Sequence, residues 1–295
     1  MTRAGFVALI GAPNAGKSTL FNRLVGEKLA AVTPKPQTTR FTLQGILTCE
    51  KTQYVFVDTP GWIASPRNRW HHILTQQSLS AAKDADIQLW VYSHYTSPSE
   101  VPQEVVDFLR KAPCLCVGLT YLDILTPHER EKRLNTLLED LNSYPIRWYG
   151  DISMDRPLEP LLESLASLLP ASPFLYPSGQ LTPLPVRFFV AEIIREKVYE
   201  HLHEEIPYGT EVEITLYRET PEKDYIVATL HVEKASQKPI AVGKKGQMIK
   251  KIGSAARQAI EAWLNKRVYL ELHVKVSSKW RQSPLYLKSL GYRNL

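Results

Sequence analysis

The sequence is poor in cysteine and has no long apolar run. Its 295 residues include three cysteines, Cys49, Cys114 and Cys116, which have neither the even number of a disulfide framework nor the spacing of a metal site. No stretch of 18 or more apolar residues occurs, so no transmembrane helix is expected. The first apolar run starts at residue 6, which leaves no room for a signal peptide and predicts a cytoplasmic protein. These absences favour a reduced, globular chain that is long enough for two domains.

Acidic residues are scarce in one part of the chain. Residues 1–172 are neutral, with 17 lysine and arginine residues and 17 aspartate and glutamate residues. Residues 234–295 carry 14 basic residues against 2 acidic ones. A basic block on an otherwise neutral chain indicates a polyanionic partner, either a nucleic acid or a membrane surface.

The most specific motif is GAPNAGKST at residues 11–19, which follows the apolar run 6–10. Its glycines and lysine fit a P-loop, in which backbone N–H groups cradle phosphate oxygens at the start of a helix. Lys17 is expected to contact the β- and γ-phosphates, and Ser18 to ligate Mg²⁺. The predicted nucleotide-binding residues of this loop are Gly11, Ala12, Pro13, Asn14, Ala15, Gly16, Lys17, Ser18 and Thr19.

Two further segments predict a sensor of the γ-phosphate. The sequence DTPG at 58–61 ends an apolar run, where a carboxylate can hold Mg²⁺ and a glycine N–H can approach the γ-phosphate. The polar, proline-containing segment 31–40 predicts a mobile loop with Thr39 or Thr38 as a second hydroxyl ligand of the metal. The added nucleotide-binding residues are Asp58, Thr59, Pro60 and Gly61; the metal ligands are Ser18, Thr39 and Asp58; and the catalytic residues are Lys17, Thr39 and Gly61.

Apolar runs alternate with helical patterns through the first half of the chain. Strands are predicted at 6–10, 41–47, 54–58, 87–92, 115–119 and 147–152, and helices at 17–25, 73–82, 103–110, 128–141 and 158–168. This βαβ series predicts an α/β domain over 1–170 with a mostly parallel sheet, and ligands beyond the carboxyl ends of its strands. Residues 169–185 contain five prolines, so 171–185 is predicted to be a linker.

The pattern changes after the linker. A helix at 186–202, an antiparallel strand pair at 211–218 and 225–233, a helix at 247–264 and a strand at 268–276 predict a small α+β domain over 186–277. A basic tail, 278–295, follows it. The sequence GKKG at 243–246 opens the second helix, and such a loop lets backbone and lysines approach a single-stranded phosphate chain. The predicted RNA-binding residues are Gly243, Lys244, Lys245, Gly246, Lys250, Lys251 and Arg257.

These motifs resemble those of the TRAFAC-class GTPases, and among them the Era-like GTPases with a C-terminal KH domain. The resemblance rests on GxPNxGKST at 11–19, QTTR at 37–40, DTPG at 58–61 and the GKKG-containing domain, and it covers nearly the whole chain. It implies a Ras-like P-loop GTPase domain with a mixed, mostly parallel sheet, followed by a type II KH domain. It also implies slow GTP hydrolysis with GTP or GDP and Mg²⁺ as cofactors, and K⁺ near Asn14, as in some relatives. The implied partners are the 3′ end of 16S ribosomal RNA and the 30S subunit, whose maturation a monomer would assist, with a peripheral contact at the inner face of the membrane left open.

The base-reading motifs depart from the family pattern. Where the family has Asn-Lys-x-Asp, this chain has TYLD at 120–123, which keeps the guanine-reading carboxylate of Asp123 and removes a bridging amide. The ring of Tyr121 can stack on the base in place of the lysine stem. Trp62 occupies the position of the water-orienting glutamine of Ras-type enzymes. The predicted base-binding residues are Thr120, Tyr121, Asp123, Ser153 and Met154. The departures leave two alternatives open: an RNA-binding adaptor with a degenerate nucleotide domain, and an ATPase-type switch.

Overall fold

The computed structural model describes residues 1–63, 69–278 and 280–282, which divide into two compact units. The first unit comprises Met1–Ala30 and Thr39–Pro183, and the second comprises Ala31–Thr38 and Leu184–Leu295. The short segment Ala31–Thr38 therefore groups with the second unit, which the sequence did not predict. The basic tail predicted at 278–295 lies almost entirely outside the described residues.

A six-stranded sheet forms the centre of the first unit, in the order β2-β3-β1-β4-β5-β6. β2 is antiparallel to β3 and the other neighbours are parallel, which confirms the mixed, mostly parallel sheet. The central strands are buried along most of their length because helices cover both faces of such a sheet. The strands are β1 (Arg3–Ile10), β2 (Leu43–Cys49), β3 (Thr52–Asp58), β4 (Ile87–Ser93), β5 (Leu115–Thr120) and β6 (Ile146–Asp151).

Five helices pack around this sheet, and their ends follow from local sequence. α4 starts at a capping box between Thr126 and Glu129 with a proline in its first turn, two features that favour helix initiation. α1 starts after Gly16 and ends at Gly26, both in the left-handed conformation that glycine adopts most easily. The helices are α1 (Lys17–Val25), α2 (Arg69–Lys83), α3 (Gln103–Arg110), α4 (Pro127–Asp140) and α5 (Glu159–Leu168).

The second unit contains a three-stranded sheet in the order β7-β8-β9. β7 is antiparallel to β8, as predicted, and β9 is parallel to β8. A short helix, α7, was not predicted; its sequence QKPIAV has Pro239 in the first turn, where proline is tolerated. The elements are α6 (Val186–His201), β7 (Thr210–Arg218), β8 (Lys223–Val232), α7 (Gln237–Val242), α8 (Gln247–Leu264) and β9 (Arg267–Val276).

The core of the second unit lies between its sheet and the apolar faces of α6 and α8. It includes Ile194 and Val198 of α6 and Ile252 and Ile260 of α8, all of which are fully buried. Trp280 is also buried, and its indole Nε1–H donates a hydrogen bond of 3.0 Å to the carbonyl oxygen of Gly209. This bond anchors the chain after β9 to the domain.

The described ranges lack two features, a membrane-spanning helix and a cluster of metal-ligating side chains. Among the helices of these ranges, none is long and apolar enough to cross a membrane. Residues 1–63, 69–278 and 280–282 also contain no group of three or more His, Cys, Asp or Glu side chains placed to hold a metal ion.

Candidate functional site

The predicted P-loop lies at the carboxyl edge of the parallel sheet, between β1 and α1. Asn14 (φ 59°) and Gly16 (φ 91°) are left-handed, and no side chain caps the N-terminus of α1. The first backbone N–H groups of α1 therefore keep their donor capacity for an anion. Gly11 is required for packing, since a Cβ there would lie 2.4 Å from the carbonyl oxygen of Val91.

Lys17 is held inside this loop. Its Nζ donates to the carbonyl oxygens of Gly11 at 3.0 Å and Ala12 at 2.7 Å, and only 5% of the residue is exposed. Burial lowers the pKa of Lys17 to about 8, and the negative charge of Asp58 opposes that shift. A buried ammonium bonded only to carbonyl oxygens is poised for an anionic ligand that would restore its charge balance.

The structure brings the three predicted metal ligands together. The Ser18 hydroxyl donates to Asp58 Oδ2 at 2.7 Å and lies 2.8 Å from the Thr39 hydroxyl. Thr38 does not reach this cluster, because its hydroxyl bonds to Thr33 Oγ1 at 2.6 Å and to the carbonyl oxygen of Lys35 at 2.7 Å. Two hydroxyls and a buried carboxylate form the hard oxygen set that suits Mg²⁺.

The DTPG segment packs directly against the P-loop. A Cβ on Gly61 would lie 2.6 Å from the backbone nitrogen of Pro13, so only glycine allows this approach. The fully buried Thr59 hydroxyl donates to the carbonyl oxygen of Leu9 at 2.7 Å and lies 2.7 Å from the Ser78 hydroxyl. The Thr59 side chain thus fixes the loop, and the segment offers a ligand its backbone.

Trp62 follows this segment and belongs to the core. It is 3% exposed, and its ring centroid lies 6.3 Å from that of Trp90 on β4. A buried indole has a single donor and no acceptor, so it cannot orient a water as a glutamine does. The residue stabilises the loop after β3 through packing.

Thr120, which stands where the family has asparagine, forms a hydrogen bond to the P-loop. Its hydroxyl donates 2.8 Å to the carbonyl oxygen of Ala15 and so joins the end of β5 to the P-loop. The departure removes the bridging amide, and a hydroxyl of Thr120 makes a bond to the P-loop instead. A shorter hydroxyl serves because β5 ends close to the P-loop: a Cβ on Gly16 would lie 3.7 Å from Thr120 Cγ2.

The remaining base-binding residues lie in the loops after β5 and β6. The Ser153 hydroxyl accepts a hydrogen bond of 2.9 Å from the backbone N–H of Leu122, which ties these two loops together. Asp123 is exposed, as is Met154, with 60% of its surface accessible. Tyr121 is half-buried in a left-handed conformation with φ 61°. The carboxylate and the ring are thus both accessible at the sheet edge.

Sequence reasoning missed the side chains that support the loop after β6. Asp151 Oδ1 accepts from the Ser153 N–H at 3.0 Å, and Arg130 of α4 forms an ion pair with Asp151. Arg23 of α1 donates to the carbonyl oxygens of Ile152 at 3.1 Å and Ser153 at 3.3 Å. No sequence motif marks these residues, because their partners are remote in the chain.

The segment Ala31–Thr38 is fixed on α6 within the second unit. Lys35 Nζ donates to the carbonyl oxygens of Tyr199 and, at 2.6 Å, Leu202, which lie at the C-terminal end of α6. A cation at this end complements the helix dipole. The Tyr199 hydroxyl donates to the carbonyl oxygen of Gln37 at 3.2 Å.

Arg195 of α6 holds the end of the same segment. It donates to the carbonyl oxygen of Thr38 and pairs with Glu192, whose Oε1 lies 2.9 Å from its Nε. All three residues are buried. The next residue in the chain, Thr39, belongs to the first unit and contacts Ser18. One peptide bond therefore joins the candidate metal site to a segment of the second unit.

The GKKG loop connects α7 and α8. Gly243 (φ 75°), Lys245 (φ 51°) and Gly246 (φ 77°) have positive φ, and no side chain caps α8. Lys244, Lys245, Lys250 and Lys251 are exposed. Arg257 lies about two turns after Lys250 on α8. It is paired with Glu261 at 2.6 Å, so its charge is partly neutralised.

Known proteins resemble this chain over nearly its full length. Residues 6–119 match the family described as 50S ribosome-binding GTPase, and residues 205–281 match the KH domain family. GTPase Era of Geobacter metallireducens is 42% identical, and GTPase Era of Caldanaerobacter subterraneus is 40% identical, each over 98% of both chains.

Two solved Era structures agree with the fold. Era from Aquifex aeolicus bound to GDP and AlF₄⁻ has 31% identity and a TM-score of 0.90, with 99% of both chains covered. Era in complex with MgGDPNP and nucleotides 1506–1542 of 16S ribosomal RNA has 30% identity and a TM-score of 0.91 at the same coverage.

These likenesses confirm the predicted fold class, a Ras-like P-loop GTPase domain followed by a KH domain. They also confirm that the protein is a GTPase, and they disfavour the non-hydrolysing adaptor and the ATPase-type switch. With identities of about 40% over its full length, the chain belongs to the GTPase Era family.

Proposed function

We propose that this protein is a GTP-dependent switch that binds the 3′ end of 16S ribosomal RNA and assists maturation of the 30S subunit. The observation that supports a switch is that the chain passes from the second unit to the first between Thr38 and Thr39. Thr38 is bonded to α6 of the KH-containing unit, and Thr39 touches Ser18 in the P-loop. The relative solved with 16S ribosomal RNA supports the choice of RNA.

The GTPase site would bind the phosphates through the P-loop N–H groups and Lys17. Ser18, Thr39 and Asp58 would hold Mg²⁺, which when bound neutralises phosphate charge. With Trp62 buried, no side chain at that position orients the attacking water, so the proposal includes slow turnover. Asn14 is exposed beside the phosphate cradle and is the proposed contact for K⁺. Hydrolysis, measured as phosphate release, should therefore be slow and should rise when K⁺ replaces Na⁺.

The switch would work through the hydroxyl of Thr39. A γ-phosphate with its metal would fix Thr39 in the first unit and so constrain the Thr38 carbonyl that Arg195 binds. Loss of the γ-phosphate would release this constraint and alter the segment that Lys35 and Arg195 hold on α6. The RNA affinity of the KH domain would then depend on the bound nucleotide.

The RNA-binding surface would consist of exposed lysines in and beside the GKKG loop. Lys244 and Lys245 stand in the GKKG loop, and Lys250 and Lys251 extend the same charge along α8. Backbone approach at Gly243 and Gly246 and the positive start of α8 favour a single-stranded phosphate chain. A 16S ribosomal RNA ligand would place the protein in the cytoplasm. A monomeric state and a peripheral contact with the inner face of the membrane stay predictions.

The test compares RNA binding in two nucleotide states. Labelled RNA with the 3′-terminal 16S sequence is titrated by anisotropy with protein bound to GDP or to GDPNP. The wild type should show different affinities in the two states, and Lys35→Met should bring their ratio toward one without changing nucleotide affinity. Lys197→Met is the matched control, since this lysine belongs to α6 and bonds Glu200 rather than the segment Ala31–Thr38. Equal RNA affinity of the wild type in both states would refute the switch.

A further inference from the structure

An aromatic cluster stands at the carboxyl ends of β4 and β5. The ring centroids of Tyr95 and Tyr121 are 5.6 Å apart with an interplanar angle of 51°. Tyr95 keeps 66% of its surface exposed, an unusual position for a large aromatic side chain that packs against another. None of the roles assigned above uses Tyr95.

The cluster lies beside the phosphate cradle. A Cβ on Gly16 would lie 3.9 Å from Tyr121 Cε2, so the ring borders the start of α1. Asp123, the expected reader of the base edge, follows two residues later. Burial raises the pKa of Tyr121, and the neighbouring Tyr95 and Asp123 add to the shift. A base attached to a nucleotide in the P-loop would therefore lie within reach of both the carboxylate and the ring.

Backbone bonds hold this cluster in place. The His94 N–H donates to the carbonyl oxygen of Thr120 at 3.1 Å, which links the residue before Tyr95 to the residue before Tyr121. Arg133 of α4 donates to the carbonyl oxygen of His94 at 3.1 Å. The His94 ring lies 4.4 Å from that of Tyr95. Both tyrosines are thus positioned by the sheet edge while the outer ring stays accessible.

We propose that Tyr95 supports the predicted stacking of Tyr121 on the base, so that the two rings form one stacking platform for the guanine of the nucleotide. Tyr121 contacts the base, and Tyr95 is a positioning residue that supports the ring of Tyr121. This inference rests on the proposed nucleotide-binding function. Because stacking uses the face of a base and is tolerant of its identity, the platform sets affinity while Asp123 sets selectivity.

The experiment measures binding of four ligands by calorimetry with Mg²⁺ present: GDP, IDP, XDP and pyrophosphate. Tyr121→Ala should lower the affinities for GDP, IDP and XDP by a similar factor of about 10 to 100, the range of base–aromatic stacking. The affinity for pyrophosphate should be unchanged. Tyr121→Phe keeps the ring face and should restore most of the affinity that Tyr121→Ala loses, and Tyr269→Ala, which removes an exposed tyrosine of β9, is the matched control. Asp123→Asn should instead change the ratio between GDP and XDP.

A second variant tests the positioning role. Tyr95→Ala should lower the affinity for GDP by about 3- to 10-fold. In the background of Tyr121→Ala the same substitution should have little further effect, because Tyr95 acts through Tyr121. Equal loss of pyrophosphate and GDP in Tyr121→Ala would assign the ring to the structure of the P-loop and overturn the proposal, as would unchanged GDP binding. A wild type that binds GDP no more tightly than pyrophosphate would refute the proposed base recognition itself.

Discussion

The loop that starts α1 and the loop that starts α8 have the same backbone plan in two different units. Each ends in a left-handed glycine, Gly16 with φ 91° and Gly246 with φ 77°. A second left-handed residue precedes it, Asn14 (φ 59°) two residues earlier in the first loop and Lys245 (φ 51°) directly before it in the second. Neither helix has a side-chain cap. Both loops therefore present backbone N–H groups and the positive end of a helix to an anion.

Their lysines differ in burial. Lys17 is 5% exposed and bonded to two carbonyl oxygens, whereas Lys244 and Lys245 are exposed. A buried cation acts at fixed distance with little screening, which suits a compact phosphate group. Exposed cations act through a screened field, which suits a flexible polyanion. The same backbone plan thus serves two kinds of phosphate ligand, and the burial of the lysine distinguishes them.

The largest expected effect is the loss of nucleotide binding in Lys17→Ala. A charge-assisted contact to phosphate is removed from a buried site, and the GDP affinity measured by calorimetry should fall by more than about 100-fold. RNA affinity measured without nucleotide should stay within about twofold, because the exposed lysines of the other loop are unchanged.

The control for this variant is Lys83→Ala, which removes an exposed lysine at the end of α2. It should leave both affinities unchanged. Loss of RNA binding together with GDP binding in Lys17→Ala would contradict the assignment of the two ligands to two separate loops.

Replacement of the two glycines of the second loop should lower the free energy of unfolding by different amounts. A Cβ on Gly243 would lie 2.6 Å from Met248 Cβ, whereas a Cβ on Gly246 would meet nothing within 4 Å. Gly246→Ala should cost only the left-handed strain of about 1–2 kcal/mol in the free energy of unfolding. Gly243→Ala should cost about 1–3 kcal/mol more, because φ 75° with ψ 171° is a conformation that essentially only glycine adopts and because the Cβ is overpacked. Denaturant unfolding measures both variants, and equal losses would show that the loop at Gly243 relaxes.

A smaller effect is expected when exposed charge is removed. The double variant Lys244→Ala, Lys245→Ala should weaken 16S RNA binding by about tenfold and reduce the slope of log affinity against log salt by about 1.4, the value for two phosphate contacts of a single strand. The control Lys234→Ala, Lys275→Ala removes two exposed lysines outside the loop. If it lowers the slope equally, general charge and not the GKKG loop carries RNA binding.

The sequence predicted the parts of the site that lie within short segments. The spacing of Gly11, Gly16, Lys17 and Ser18 identifies the P-loop because one strand, one loop and one helix supply the whole cradle. The strand–helix series likewise predicted the order of elements, since apolar periodicity is a local signal.

Contacts between distant segments could not be predicted in this way. The Thr120 hydroxyl reaches Ala15 across 105 residues, and Arg195 reaches Thr38 across 157. A single side chain carries no mark of such a partner. The motifs therefore indicated the loss of an amide at Thr120 but not the hydroxyl bond that replaces it, and a mobile, metal-binding loop at 31–40 but not its bonds to α6. Tertiary position decides these roles, and only the structure gives it.

The smallest effect concerns the pH dependence of nucleotide binding, and it sharpens the contrast between buried and exposed lysines. Burial lowers the pKa of Lys17 to about 8 in the free protein, and a bound phosphate would keep the ammonium protonated. Above pH 8 the free protein has lost a proton that the complex retains, so binding must take up a proton and affinity falls as pH rises. Between pH 7 and pH 8.8 the GDP affinity should fall by about sevenfold, a fraction of the tenfold per pH unit that one linked proton allows.

Lys17→Arg isolates this effect, because a guanidinium stays charged throughout the range. Its GDP affinity should show only the pH dependence of guanine itself, which the wild type shares. Calorimetry in two buffers of different ionisation enthalpy should detect proton uptake by the wild type near pH 8.5 and none by the variant. A wild-type affinity that follows that of Lys17→Arg at every pH would mean that Lys17 remains charged despite its burial, and that the carbonyl oxygens of Gly11 and Ala12 stabilise the ammonium enough to offset the cost.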